Sequence, residues 1–140
     1  MFDITYLHFH SVVELGLCVE GAGFCCVDDQ TFPFSCGDVQ VIFPYQHHLS
    51  KSLPDQPSRW HWLYVDISSI MFSLGITDLH PVEELIEHRM ARYGIFNMQQ
   101  DPEVSSLVTE IFRSVYANNS DSIRRCAATF WLLLLTLAEL

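Results

Sequence analysis

Two imidazoles and a carboxylate stand close together near the start of the chain: His8, His10 and Glu14. In extended backbone, side chains separated by even steps share a face, so this spacing puts all three on one side of a strand. Imidazole nitrogen and carboxylate oxygen ligate divalent transition ions of the zinc, nickel or iron kind. A fourth ligand would come from a neighbouring strand, and His48 is the candidate. The same four side chains have a second reading, as hydrogen-bonded polar groups of a barrel interior or contacts to an organic ligand. The sequence leaves both open.

A second constellation follows at Trp60, Trp62 and Tyr64, which alternate onto one strand face, with His61, Leu63 and Val65 on the other. Indole faces stack on sugar or aromatic rings, and a phenol adds a directed hydrogen bond. Ordinary barrel packing would use the same residues. His8, His10 and Glu14 facing the same cavity would give a mostly apolar pocket its polar specificity.

The elements that must carry these groups are legible as short runs rich in Val, Phe, Tyr and Cys. They are broken at Glu20-Gly21-Ala22-Gly23, Asp28-Asp29 and Cys36-Gly37-Asp38. Strands are expected at Phe2–His8, Val12–Val19, Phe24–Val27, Gln30–Phe34, Asp38–Phe43, His48–Lys51 and Arg59–Ile67, in a small antiparallel sandwich or barrel. Gly21, Gly23 and Gly37 are expected at turns with positive φ. Pro81–Arg92 reads as a short helix and Ile95–Met98 as a last strand.

Two helices end the chain. Asp101 suits an N-cap and Pro102 the first helical position. Val104, Leu107, Val108, Ile111, Phe112, Val115 and Tyr116 then recur on one helical face. Ala117-Asn118-Asn119-Ser120 ends this helix, and Ser120 or Asp121 can cap the next. That second helix is apolar nearly all round from Phe130 to Leu137. A terminal helix on a small domain buries one stripe, so a further covering surface is expected, namely a second copy of the chain. Phe130, Trp131, Leu134 and Leu135 are the candidate contacts.

In order and spacing, these pieces resemble a known family. His8-Phe9-His10, then Glu14 and Gly21, is similar to the first motif of the cupin superfamily. Gly37-Asp38, Pro44 and His48 are similar to parts of the second, although Phe43 and Tyr45 depart from it. Leu15–Gly23, Cys36–Pro44 and Arg59–Val65 resemble successive strands of the sensor half of AraC-type transcription regulators. The resemblance implies a mainly β, cupin-like jelly-roll barrel (a double-stranded β-helix) over residues 1–100, with two C-terminal helices for dimerisation over 101–140. It implies a small-molecule effector such as a sugar in the barrel, lined by Trp60, Trp62, Tyr64, His8, His10 and Glu14. DNA would be bound only through a helix-turn-helix domain that would follow Leu140 and is absent from this chain.

Charge agrees with that division of labour. Seven Lys+Arg stand against seventeen Asp+Glu, a formal net charge of −10, and no basic stripe exists to neutralise phosphates. Five cysteines without a CxxC pair or a secretory leader point to reduced thiols in the cytoplasm. The apolar run Cys126–Ala138 is too short for a bilayer. The competing reading is a metal-dependent cupin enzyme of the dioxygenase or isomerase type. It would use the same His and Glu ligands, but no further acid or base pattern accompanies them.

Overall fold

The computed structural model describes residues 12–78, 80, 82–84 and 94–140. Seven strands are described: β1 Val13–Glu20, β2 Ala22–Val27, β3 Gln30–Ser35, β4 Val39–Ile42, β5 His48–Ser52, β6 Arg59–Val65 and β7 Gly94–Phe96. Three labelled helices accompany them: α1 Ile67–Ser73, α2 Pro102–Ala117 and α3 Ser120–Glu139. The strands form two antiparallel sheets, one ordered β6-β1-β4-β7 and the other β3-β2-β5. This is the mainly β, cupin-like barrel with two C-terminal helices that the resemblance implies.

Strand ends fall within a few residues of those expected. The expected strand Phe2–His8 lies outside the described residues. So does most of the expected helix Pro81–Arg92, of which only Val82–Glu84 are described, and these are helical. The helix Ile67–Ser73 was not legible in the pattern. Asp66 starts it, its carboxylate accepting from the Ser68 and Ser69 amides. Ile67 therefore belongs to a helix and not to the end of β6.

The glycines divide by cause. Gly21 and Gly37 adopt φ of 82° and 96°, as the turns require. Gly23 does not share that reason. It lies within β2, where a Cβ would strike the Lys51 carbonyl and the Phe34 ring, so close backbone approach excludes a side chain. Gly94 combines both demands, with φ 104° and the Phe32 ring 2.8 Å from where its Cβ would stand. That contact closes one edge of the barrel, β7 of the first sheet against β3 of the second.

Each end of the terminal helices has its own chemistry. Pro102 sits in the first turn of α2, as expected, but the Asp101 side chain makes no capping bond. Asn118 ends α2 in the left-handed region (φ 48°), which Asn tolerates better than most side chains. The cap of α3 is Asn119, not Ser120 or Asp121. Its side chain accepts from the Ser122 amide at 2.9 Å, while the Ser122 hydroxyl accepts from the Asn119 amide at 2.8 Å. This reciprocal pair is a capping box with a serine at its third position.

The four-stranded sheet has a dry outer face. Val13, Leu15, Val39, Val41 and Val65 alternate onto it and meet Val104, Val108, Ile111 and Phe112 of α2 and Phe130, Leu133, Leu134 and Leu137 of α3 in one buried core. Leu63 and Ile67 pack at its margin. A second, smaller core lies between the two sheets, made by Cys18, Cys25, Val27, Phe34 and Ile42 with Phe32, Trp60 and Ile95 against it.

Candidate functional site

Strand register fixes what faces the barrel interior. Glu14, Gly16 and Cys18 of β1 stand opposite Tyr64, Trp62 and Trp60 of β6, and Gly16 stands opposite Gln40 of β4 on its other side. From the second sheet, Val27 pairs with His48 and Cys25 with Ser50. The parity read from Trp60, Trp62 and Tyr64 therefore puts them on the same sheet face as Glu14.

Gly16 seats the aromatic pair. A Cβ there would come 2.5 Å from Trp62 Cζ3 and 3.0 Å from Trp60 Cε3, so the missing side chain is the space the two indoles occupy. Their rings stack with centroids 4.8 Å apart at an interplanar angle of 11°, and Phe34 meets Trp60 edge-on. The Trp60 end of this group is partly buried and the other end open: Trp62 is 39% and Tyr64 53% exposed. A fully buried aromatic filling would leave neither so accessible.

Beside the indoles lies a buried polar group that an apolar barrel does not need. Glu14 Oε2 and His48 Nε2 are 3.0 Å apart, and His48 Nδ1 lies 2.9 Å from the Gln46 carbonyl. Both partners are buried. Burial pulls the His48 pKa down, but the Glu14 hydrogen bond, the Gln46 carbonyl and the charges of Glu14 and Asp28 outweigh it, and the net direction is upward from 6.5. Burial first, and then the Glu14 charge, push the Tyr64 phenol up. Gln40 is fully buried; its Oε1 accepts from Ser50 Oγ at 3.5 Å, but its Nε2 has no partner. The Trp60 Nε1–H is likewise buried without an acceptor. Unsatisfied buried N–H groups cost stability, so each is a place where an added acceptor would be favoured.

Of the four expected metal ligands, the structure brings Glu14 and His48 together. His8 and His10 lie outside the described residues, and no group of three metal-ligating side chains occurs among the described ones. The carboxylate and imidazole are suitable donors for a divalent ion, but two donors do not make a set. Sequence reading missed Gln40 and Gln46, because a glutamine inside a Val/Ile strand or a turn carries no spacing signal. Nor does the sequence assign His61 a partner. That side chain lies under α2, its Nδ1 hydrogen-bonded to the Tyr116 hydroxyl and its ring 6.5 Å from Phe112.

The expected dimer contacts need correction. Phe130 and Leu134 are buried in the chain's own core, 0% and 1% exposed, because they face the sheet. Trp131 is partly buried and Leu135 is 43% exposed. With Ala128 and Leu132 these two make one outward stripe at helical spacing.

Among the described residues no helix is long and apolar enough to cross a membrane. Residues 3–135 match the family described as the AraC-like ligand-binding domain. No curated protein sequence matches the chain significantly. Among solved structures, oxalate decarboxylase of Bacillus subtilis is similar, both as a tryptophan-to-tyrosine variant and as the structure at pH 4.6. In each case the identity is 16%, the TM-score 0.37, and the match covers 66% of this chain and 29% of that one. The chain thus spans under a third of the decarboxylase, and a likeness that slight carries no functional weight. The family match runs over nearly the whole chain, through both sheets and both terminal helices: the chain belongs to the AraC-like ligand-binding domain family.

Proposed function

We propose that this domain senses a small organic molecule between its two sheets and is the regulatory half of a DNA-binding transcription regulator. The carrying observation is the interior polar group. The inner face of the four-stranded sheet carries Glu14, the unpaired N–H groups of Gln40 and Trp60, and the stacked Trp60–Trp62 pair, and His48 of the facing sheet reaches Glu14 across the interior, with one end exposed. A ring with accepting oxygens, a sugar for example, suits that combination, because it offers a face to the indoles and acceptors to the N–H groups. His8 and His10 complete the pocket or, with Glu14 and His48, a divalent ion site.

The domain acts in the cytoplasm as a homodimer through the Ala128, Trp131, Leu132 and Leu135 stripe of α3. DNA is contacted only by a helix-turn-helix domain following residue 140, in keeping with the net charge of −10 here. Effector binding changes regulation only through a difference in affinity between two arrangements of the helices.

The test is a small-molecule screen by thermal shift, followed by tryptophan fluorescence on each stabilising compound. The expected result is a saturable change in indole emission that Trp62→Ala abolishes. A compound that binds and stabilises the chain while Trp60 and Trp62 stay spectroscopically silent would overturn the placement.

A further inference from the structure

Three consecutive residues of β6 serve two different faces. Trp60 and Trp62 lie on the inner face, where their rings stack over Gly16. His61, between them, is turned the other way, toward α2. Its neighbours on that outer face are Leu17, Leu63 and Val65, apolar side chains of the core against the helices. Packing alone would be served there by another apolar side chain, so the imidazole and its bond need a separate account.

The bond runs to the end of a helix. His61 Nδ1 is hydrogen-bonded to the Tyr116 hydroxyl, and the imidazole meets the Phe112 and Tyr116 rings edge-on, with centroids 6.5 and 5.5 Å away. Tyr116 is the last residue but one of α2. Asn118 then turns the chain through the left-handed region, and Asn119 caps α3. Tyr116 is 63% exposed, so its ring adds little to the core, and what the contact supplies is direction. One exposed hydrogen bond is weak enough to keep the parted form within roughly tenfold of the joined one. The tie between β6 and the α2–α3 turn is therefore an element with two positions.

The strand that carries this tie is the least constrained of its sheet at the indole end. Among the described strands, β6 lies at the sheet edge and pairs with β1 only. That pairing is irregular between Cys18 and Glu20, opposite Trp60 and Arg59. A strand held on one side, with a bulge beside the indoles, shifts at lower cost than one paired on both sides. Its inner and outer side chains share one backbone and move together. We propose that the His61–Tyr116 hydrogen bond couples the indole face to the α2–α3 turn. A ligand stacked on Trp62 steadies β6, keeps His61 and Tyr116 joined, and so holds the end of α2 against the sheet. This rests on the indole face being the ligand site. By linkage, a chain with the tie removed binds that ligand more weakly.

The first arm of the test needs no ligand. Trp62→Ala removes one indole, and Gly16→Ala displaces both, since its Cβ would come 2.5 Å from Trp62 Cζ3. The readout is amide hydrogen exchange by NMR at Tyr116 and Ala117, the last turn of α2, in the native chain and in Tyr116→Phe, which keeps the ring and loses the hydroxyl. Tyr116→Phe alone should quicken this exchange about three- to tenfold, the loss of one hydrogen bond. Either inner-face substitution should quicken it about threefold in the native chain and have almost no further effect in Tyr116→Phe. His61→Phe in place of Tyr116→Phe should give the same pattern. An inner-face substitution that quickens exchange equally in both backgrounds, or in neither, would overturn the coupling. The second arm titrates D-glucose, a ring with accepting oxygens, and follows the Trp62 indole Nε1–H signal. Glucose that shifts this signal should slow exchange at Tyr116 in the native chain and not in Tyr116→Phe. A shifted indole with unslowed exchange overturns the coupling and leaves the ligand site standing. An unmoved indole, with the first arm as expected, counts against a sugar at that site and leaves the coupling standing.

Discussion

The two faces of the sheet β6-β1-β4-β7 are built from the same strands, one residue out of step, and differ in kind. Outward lie Val13, Leu15, Val39, Val41, Leu63 and Val65, apolar and packed on α2 and α3, with His61, bonded to the Tyr116 hydroxyl, as a polar exception. Inward lie Glu14, Gly16, Gln40, Trp60, Trp62 and Tyr64, with two buried N–H groups unpaired and two aromatics partly open. One face stores stability; the other gives some of it up to keep polar groups in place. The difference teaches that burial alone does not identify a core. Glu14 and Leu15 are adjacent and both buried, but only Leu15 is explained by folding.

Substitutions should separate the faces. The largest effect is expected on the outward side, where Leu134→Asp places a charge among Val, Ile and Phe side chains. It should cost more than about 4 kcal/mol and leave the chain unfolded by circular dichroism. Leu135→Asp, next in sequence but exposed, should keep the fold and yield a monomer in sedimentation. A folded Leu134→Asp chain would break the assignment of that face.

A middle effect belongs to neighbours on β1 and β4. Leu15→Ala should cost about 2–5 kcal/mol in denaturant unfolding, by lost transfer energy and a residual cavity. Gln40→Leu should cost under about 1 kcal/mol or stabilise, because it removes an amide whose Nε2 has no partner. The comparison fails if the glutamine proves as costly to replace as the leucine.

How far these faces were legible follows from what each signal measures. Alternation located β1 and β6 to within a residue or two at most ends and gave the parity of Trp60, Trp62 and Tyr64. It did so because one-residue slippage would reverse every side chain of a half-buried strand. The helix at Ile67–Ser73 escaped, since seven residues hold no full amphipathic pattern and its start depends on a side-chain cap at Asp66. Glu14 and His48 were read as partners through a motif, not through spacing, as thirty-four residues separate them. Gln40 was invisible, because its meaning is a missing hydrogen bond, which only three-dimensional placement reveals. The apolarity of α3 is legible and extends to the exposed Leu132 and Leu135, but which residues turn inward depends on the helix's rotation against the sheet. That is why Phe130 and Leu134 were misassigned to a partner.

A smaller effect concerns acid and base. The His48 pKa lies above its ordinary 6.5, so the folded chain holds this proton more tightly than the unfolded one. The resulting stabilisation is complete below about pH 6.5 and is lost as pH rises through the raised value. The stability difference between the native chain and His48→Gln should therefore be larger near pH 6 than near pH 9 by chemical denaturation. A difference that grows with pH would reverse the sign and remove the Glu14–His48 pair as its source.

The smallest expected effect leaves stability untouched and asks how open the inward face is. Cys25 and Cys18 both belong to the small core between the sheets, 0% and 1% exposed, whereas Cys36 is exposed at the β3–β4 turn. Burial pushes the Cys25 thiol up to about 11, with the Ser50 hydrogen bond opposing it and the Cys26 and Glu14 charges adding to it. Burial also raises Cys18. The thiolate is the nucleophile, so both inner thiols are disfavoured twice, by ionisation and by access. With iodoacetamide near pH 8, mass spectrometry should find Cys36 alkylated first, and Cys25 and Cys18 modified only as fast as the barrel opens. The aromatic end of the interior is exposed while the cysteine end is shut, so an effector docked on Trp62 and Tyr64 should leave the order of labelling unchanged and slow the Cys25 reaction further by holding the barrel closed. Cys25 labelled as quickly as Cys36 in the folded chain would mean that reagent passes freely between the sheets. The inward face would then be an open channel, and its unpaired N–H groups would be satisfied by water, with none kept for a ligand.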